Sequence, residues 1–109
     1  MAIQHKNLAA GGWHKLSLME QMGNVGSEVG RAFHSQGKDD KLFQIAIDRA
    51  LELLDLTIQD YRWKNRLREL TRAREILCDA ALGGKEYKSS IKDLERYFFS
   101  FALAARISK

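Results

Sequence analysis

Residues 40–61 read DKLFQIAIDRALELLDLTIQDY, and this stretch decides the fold. Wound at about 100° per residue, it places polar side chains on one narrow stripe and apolar side chains on the other faces. The polar stripe consists of Gln44, Asp48, Glu52, Asp55 and Gln59. A helix this apolar needs neighbours on at least two sides. The pattern therefore predicts a central helix around which the remaining helices pack.

One further helix is predicted before this segment, and another is predicted after it. Ser17 and Glu20 form a capping-box pattern that predicts the start of a first helix, which closes near Gly37. After Tyr61 the centre of the apolar face shifts by about 120°. This shift predicts a tight turn near residues 60–65 before a third helix, with a continuous bent helix as the alternative.

A stop signal after the third helix and a start signal a few residues later predict the last helix. The third helix stops at the pair Gly83 and Gly84, and Ser90 with Asp93 gives an S-x-x-D helix start. With zero Pro and no sustained period-two alternation, strands are not expected. Four helices with short connections predict an all-α, up-down-up-down antiparallel four-helix bundle.

The domain boundaries follow from where helical periodicity begins. Residues 1–16 lack periodicity and predict a flexible N-terminal arm, tethered through Trp13 and Leu16, ahead of a bundle domain over residues 17–109. The start of the chain has no continuous apolar run typical of a secretory signal. No apolar run is long enough to span a membrane. We therefore expect a cytoplasmic protein without membrane contact.

The charge of the chain is uneven along its length. The formal net charge is +4. Residues 1–61 carry 6 Lys/Arg against 8 Asp/Glu, or −2, and residues 62–109 carry 12 against 6, or +6. Such asymmetry is typical of a surface that faces a polyanion.

The second half contains a dense run of basic residues at the start of the third helix. Arg68 and Arg72 are like charges four residues apart, a spacing that mildly destabilises a helix unless an anion binds there. The alternative is an ordinary solvated helix face. The predicted nucleic-acid contacts are Arg62, Lys64, Arg66, Arg68 and Arg72. Trp63 could stack on a base, but its apolar seam favours a core position.

Catalytic and metal sites have little support in the sequence. The histidines are not spaced with Cys or carboxylates as metal ligands, and no phosphate-loop or nucleophile motif is present. We therefore expect no enzyme activity, no metal and no cofactor. An arginine-lined helical enzyme is the remaining enzyme alternative, because Arg49 and Arg74 lie on apolar faces. The simpler explanation is that each side chain extends outward to solvent or pairs with a carboxylate such as Asp48 or Glu52 of a neighbouring helix or subunit.

A surplus of apolar and small residues predicts self-association. Three glycines inside the first helix suggest a close backbone approach by another helix, since each costs about 1 kcal/mol relative to Ala. The last helix carries a second apolar stripe that one bundle does not need. The predicted oligomer interface comprises Gly23, Gly26, Gly30, Arg49, Phe99, Leu103 and Ile107.

The nearly apolar FQIAIDRALELLDLTI (residues 43–58) and the basic RLRELTRAREIL (residues 66–77), within four short-linked helices, resemble a known family. The pattern over residues 16–107 is similar to the four-helix-bundle proteins encoded in intervening sequences of large-subunit rRNA genes. It is similar also to their relatives, the accessory variability proteins of diversity-generating retroelements. The resemblance implies a basic homopentamer that binds RNA and partners a reverse transcriptase.

These observations lead to a non-enzymatic, RNA-associated accessory protein as the predicted function. The first alternative is a protein–protein interaction module such as a scaffold or an antitoxin-like bundle. The second is the arginine-lined metabolic enzyme.

Overall fold

The structure is a computed structural model that describes residues 12–107. Its four α-helices are α1 (Leu18–Ser35), α2 (Asp40–Ile58), α3 (Leu67–Ala81) and α4 (Ile91–Ile107). Two 3₁₀ helices, Trp13–Lys15 and Tyr61–Arg66, precede α1 and α3. No strand occurs in this range, so the all-α prediction is confirmed.

Helices α1 and α4 begin at the caps that the sequence predicts. At α1 the Ser17 hydroxyl accepts from the Glu20 amide and the Glu20 carboxylate accepts from the Ser17 amide. At α4 the Ser90 hydroxyl and the Asp93 carboxylate make the same reciprocal pair of bonds. These side chains satisfy backbone N–H groups that have no partner within the helix.

Helix α2 also begins at a capped residue, and glycines end α1 and α3. Asp39 accepts from the Leu42 amide. Gly37, Gly83 and Gly84 all have positive φ, the conformation in which a side chain is disfavoured. The connection from α1 to α2 and the connection from α3 to α4 therefore contain the glycines that the sequence predicts at the helix ends.

Helix α1, and not α2, lies in the middle of the packing. Helix α1 makes extensive contacts with both α2 and α4, whereas α3 contacts its neighbours more sparsely. Leu42 of α2 is exposed, and Phe43, Ile45 and Leu51 are only half-buried. The prediction that α2 is the central helix is therefore wrong. Glycines on α1 allow α4 to approach closely, and this approach places α1 between two neighbours.

The predicted break between α2 and α3 is confirmed. Residues Tyr61–Arg66 form a 3₁₀ helix, and Trp63 has non-helical dihedrals of φ −103° and ψ 21° within it. The continuous bent helix is therefore excluded. This turn separates the apolar faces of the two helices and presents several basic side chains.

The predicted arm over residues 1–16 lies mostly outside the described residues. Within the described part, Trp13 is fully buried in the core and Leu16 packs against it. The predicted tether is present. Trp13 and Leu16 thus pack with the helices, and the boundary at residue 17 stays a prediction.

Candidate nucleic-acid interface

The turn before α3 is built around the buried carboxylate of Asp60, which is only 1% exposed. The Arg62 side chain donates to it from Nε at 3.0 Å and from Nη2 at 2.6 Å, and the Arg62 amide donates at 3.1 Å. His14 Nδ1 lies 3.2 Å away. The bonds from Arg62, followed by those from Gln21 and His14, hold the pKa of Asp60 well below its ordinary value despite burial.

Gln21 of α1 connects this turn to the N-terminal segment. Its Nε2 donates to Asp60 at 3.1 Å and to the carbonyl of Trp13 at 2.9 Å, and its Oε1 accepts from Trp63 Nε1 at 2.9 Å. Trp13 Nε1 donates in turn to Thr57 Oγ1 at 3.1 Å. Three separate chain segments are thereby joined in one buried network, which fixes the orientation of the turn.

Arg62, one of the predicted phosphate contacts, also belongs to this network. Besides binding Asp60, it donates from Nη2 to the Leu16 carbonyl at 2.8 Å, and its Cζ lies 4.5 Å from the centroid of the Trp63 ring. The hydrogen bond with Asp60 raises the pKa of Arg62. Its amide, Nε and Nη2 donate within the chain, while the residue is exposed. Its contact with phosphate stays a prediction.

The other four predicted basic residues are on or beside α3. Lys64, Arg68 and Arg72 are exposed, and Arg66 is half-buried. We call Lys64, Arg66, Arg68 and Arg72 the basic surface. A hollow of about 360 Å³ lies among three of its arginines, and its lining consists of Asn65, Arg66, Arg68, Glu69 and Arg72.

Two glutamates partly neutralise the basic surface. Arg66 Nη2 lies 3.0 Å from Glu69 Oε1, and Arg72 Nε lies 3.9 Å from Glu75 Oε2. Within residues 12–107, Arg68 makes no ion pair. Exposed pairs contribute about 0–1 kcal/mol, so an incoming phosphate can replace a glutamate partner. The four bases and two acids leave this surface positive.

Trp63 occupies a core position rather than an open stacking position. The ring is half-buried and packs against the core, its N–H is bound by Gln21, and Arg62 covers one ring face. The preference for a core role is therefore confirmed.

The three interior glycines of α1 face α4 of the same chain. A Cβ at Gly26 would stand 2.8 Å from Phe98 Cβ, and one at Gly23 would stand 3.2 Å from Ala102 Cα. The predicted close approach is thus made within the chain. The glycines remain half-buried and line an open groove of about 570 Å³ between α1 and α4, together with Phe99.

The predicted second stripe of α4 is solvent-exposed in the single chain. Phe99 is 55% exposed, Leu103 45% and Ile107 75%. We call these three residues the apolar stripe. It begins at the rim of the glycine groove, where Phe99 is part of the lining.

The two arginines behind the enzyme alternative have different surroundings. Arg74 Nε donates to Asp55 Oδ1 at 2.7 Å, which links α3 to α2, and this bond raises the pKa of Arg74. Arg49 is half-buried beside a cleft of about 280 Å³ that Glu28 and Arg31 also line. Arg74 thus matches the structural explanation.

Across residues 12–107, no group of three or more His, Cys, Asp or Glu side chains is placed to hold a metal ion. None of the helices in that range combines the length and the apolar character needed to cross a bilayer.

Comparison of the chain with protein-family models, curated proteins and solved structures finds no match.

Sequence reasoning missed the network around Gln21 and Asp60. A signal was present, because Gln21 falls between Leu18 and Val25 on the apolar seam of α1. A polar residue on a buried face requires hydrogen-bond partners. Those partners lie 39 and 42 residues further along the chain, at Asp60 and Trp63.

Proposed function

We propose that the chain is a non-enzymatic, RNA-associated helical bundle that contacts phosphate groups through the basic surface. The observation that carries this proposal is the exposure of Arg68 and Arg72 beside a positive hollow. Arginine presents several donors in a planar fork that matches phosphate oxygens. Contacts of this kind are independent of base sequence and weaken as salt rises.

The proposed architecture is an up-down-up-down antiparallel bundle that assembles with further copies. Gly23 faces Ala102 and Gly30 faces Glu95, which supports an antiparallel arrangement of α1 and α4. The exposed apolar stripe supports self-association, since contiguous apolar surface commonly marks an interface. The resemblance to the rRNA intervening-sequence and retroelement accessory proteins implies five subunits and a reverse transcriptase as partner. A cytoplasmic location remains the expectation from the sequence.

Repetition of the basic surface around an oligomer would add weak contacts from several subunits. Once one subunit holds an RNA, the others bind at a high effective concentration. A modest net charge on each subunit is then sufficient for binding.

The test is a salt titration of binding to a structured RNA hairpin by fluorescence anisotropy. The variant Arg68→Glu with Arg72→Glu should weaken binding at low salt and reduce the slope of log affinity against log salt by about 1–2. The matched control, Lys38→Glu with Lys41→Glu, makes the same charge change at the opposite end of α2 and should keep most of the affinity. Equal losses in both variants would mean that only net charge matters and that the basic surface is not the site.

A protein-interaction module is the second candidate, and the apolar stripe favours it. Under that function, Leu103→Glu would abolish capture of a partner protein while the arginine variant would not. Unchanged RNA affinity and salt slope in a folded Arg68→Glu, Arg72→Glu variant would favour this candidate over the first.

A further inference from the structure

A groove of about 320 Å³ runs between α3 and α4, beside the basic surface. Its apolar lining consists of Ala73 and Leu94, which are buried, and Ile76 and Tyr97, which are half-buried. Its polar rim comprises Glu69, Arg72, Ser89 and Asp93. The size falls at the lower end of the range for small-molecule sites, which are likewise mostly apolar with a few polar groups.

The groove and the basic hollow share two residues, Glu69 and Arg72. The two features are therefore neighbours on one face of α3. In an RNA strand each base is joined to its phosphate through a single sugar. A strand whose phosphates contact Arg68 and Arg72 consequently places its bases next to the groove.

The walls suit a planar aromatic ring. Tyr97 supplies an aromatic ring against which another ring can pack. Its own ring makes edge-to-face contacts with Phe98 and Phe101, and its hydroxyl donates to Glu69 Oε1 at 3.3 Å. Burial, with a smaller effect of Glu69, raises the pKa of Tyr97 to about 12. The phenol is neutral at pH 7, as it would be with the ordinary tyrosine pKa of about 10, and it adds no charge that would repel an RNA.

The rim suits a base that carries an amino group. Carboxylates accept hydrogen bonds and do not donate them, and Glu69 and Asp93 place two carboxylates at the groove. The exocyclic amino groups of adenine, cytosine and guanine are donors. Uracil lacks such a group.

We propose that the α3–α4 groove receives one unpaired, amino-bearing nucleobase of the RNA whose phosphates contact the basic surface. This proposal rests on the proposed function, because the basic surface supplies the charge complementarity that selects a nucleic acid over other occupants. It adds a base-reading element to a surface that phosphate contacts alone would leave indifferent to sequence.

The first experiment compares RNA oligomers of equal length and charge by fluorescence anisotropy. Wild-type protein should bind an adenosine oligomer roughly tenfold more tightly than an oligomer of abasic ribose, since stacking strengthens binding by about that factor or more. A cytidine oligomer should bind several-fold more tightly than a uridine oligomer, whose ring has the same size. Equal affinity for cytidine and uridine would overturn the amino-group preference.

The second experiment fills the groove. Ile76→Phe should lower the affinity for the adenosine oligomer to that for the abasic one and leave abasic binding unchanged. The control Leu82→Phe introduces the same aromatic side chain at an exposed apolar residue outside the groove and should bind as wild type does. The wild-type comparison of oligomers stands even if Ile76→Phe fails to fold.

The outcomes distinguish the base-site proposal from the proposal of RNA association on which it rests. If both oligomers bind equally and salt weakens both, the base site is overturned while RNA association stands. If neither oligomer nor the structured hairpin binds at low salt, RNA association fails and the base site fails with it. If Ile76→Phe lowers the mass in light scattering, a second copy occupies the groove and the base site is overturned.

Discussion

Trp63 Nε1 donates a 2.9 Å hydrogen bond to Gln21 Oε1, joining the turn before α3 to the first helix. The two residues are 42 positions apart in the chain. The bond shows how one buried amide positions the segment from which the basic surface extends. Gln21 is fully buried, so its loss has a direct energetic effect.

We expect Gln21→Leu to lower the free energy of unfolding by about 2–4 kcal/mol. The change leaves the Trp63 N–H without its acceptor and removes one donor from the buried Asp60 carboxylate and one from the Trp13 carbonyl, which keeps the Leu16 amide. A buried donor left unpaired costs about 1–3 kcal/mol, and a lost hydrogen bond to a charged group costs a similar amount. Urea unfolding followed by circular dichroism measures the loss. Gln44→Ala removes an exposed bond to Asp48 and should change stability by no more than about 0.5 kcal/mol. A loss in Gln21→Leu as small as in this control would contradict the network.

Asp60 should make the fold sensitive to acid. Its pKa is lower in the folded protein than in the unfolded chain, because Arg62 and Gln21 donate to the ionised carboxylate. The stabilisation is therefore present above the ordinary carboxyl pKa of about 4 and is lost as the pH falls below it.

Unfolding free energies at pH 7 and pH 3 test this expectation. Wild type should be clearly more stable than Asp60→Asn at pH 7, and the gap should narrow at pH 3. Asp93→Asn is a control at an exposed cap whose pKa is lowered by Ser90, and its smaller gap should also narrow. A wild-type advantage over Asp60→Asn that persists unchanged at pH 3 would rule out the carboxylate as its source.

The substitutions Gly26→Ala and Gly30→Ala on α1 should have opposite effects on the free energy of unfolding. A Cβ at Gly26 would meet Phe98 Cβ at 2.8 Å, whereas one at Gly30 would meet only the end of the Glu95 side chain at 3.1 Å. Overpacking costs about 1–3 kcal/mol, and replacing a helical Gly gains about 1 kcal/mol. Gly30→Ala should therefore be more stable than Gly26→Ala by about 1–3 kcal/mol in thermal or urea unfolding. Equal stabilities would indicate that α4 does not pack on Gly26.

A single substitution in the apolar stripe should lower the mass of the oligomer. Wild type at tens of micromolar should scatter light as an oligomer, and Leu103→Glu should shift it towards the monomer by placing a charge in an apolar interface. Leu82→Glu, an exposed leucine outside the stripe, should leave the mass unchanged. A monomeric wild type would refute self-association at this concentration.

The helices and their ends were predictable because their signals are local. The cap at Ser17, the glycines after α3 and the phase shift after Tyr61 each act within a few residues. The basic surface was predictable for the same reason, as four of its predicted members are carried by one continuous segment.

The arrangement of the helices and the α3–α4 groove depend on distant residues. The apolarity of α2 suggested a central position, but α4 packs against the glycines of α1, and Leu42 of α2 is exposed. The ion pair of Arg62 with Asp60 was not predicted, because Asp60 could not be identified as buried without the fold. Tyr97 and Ile76 come from different helices, so no sequence spacing relates them.

The buried network also determines what an optical measurement would report. The chain has two tryptophans, and both donate their indole N–H within that network, Trp13 to Thr57 and Trp63 to Gln21. Intrinsic fluorescence therefore senses one corner of the molecule, whereas far-ultraviolet dichroism averages over all four helices. If the corner opens before the helices melt, the emission maximum shifts to the red at a lower urea concentration than the loss of ellipticity. Coincident curves would instead indicate that the corner and the bundle unfold as one cooperative unit.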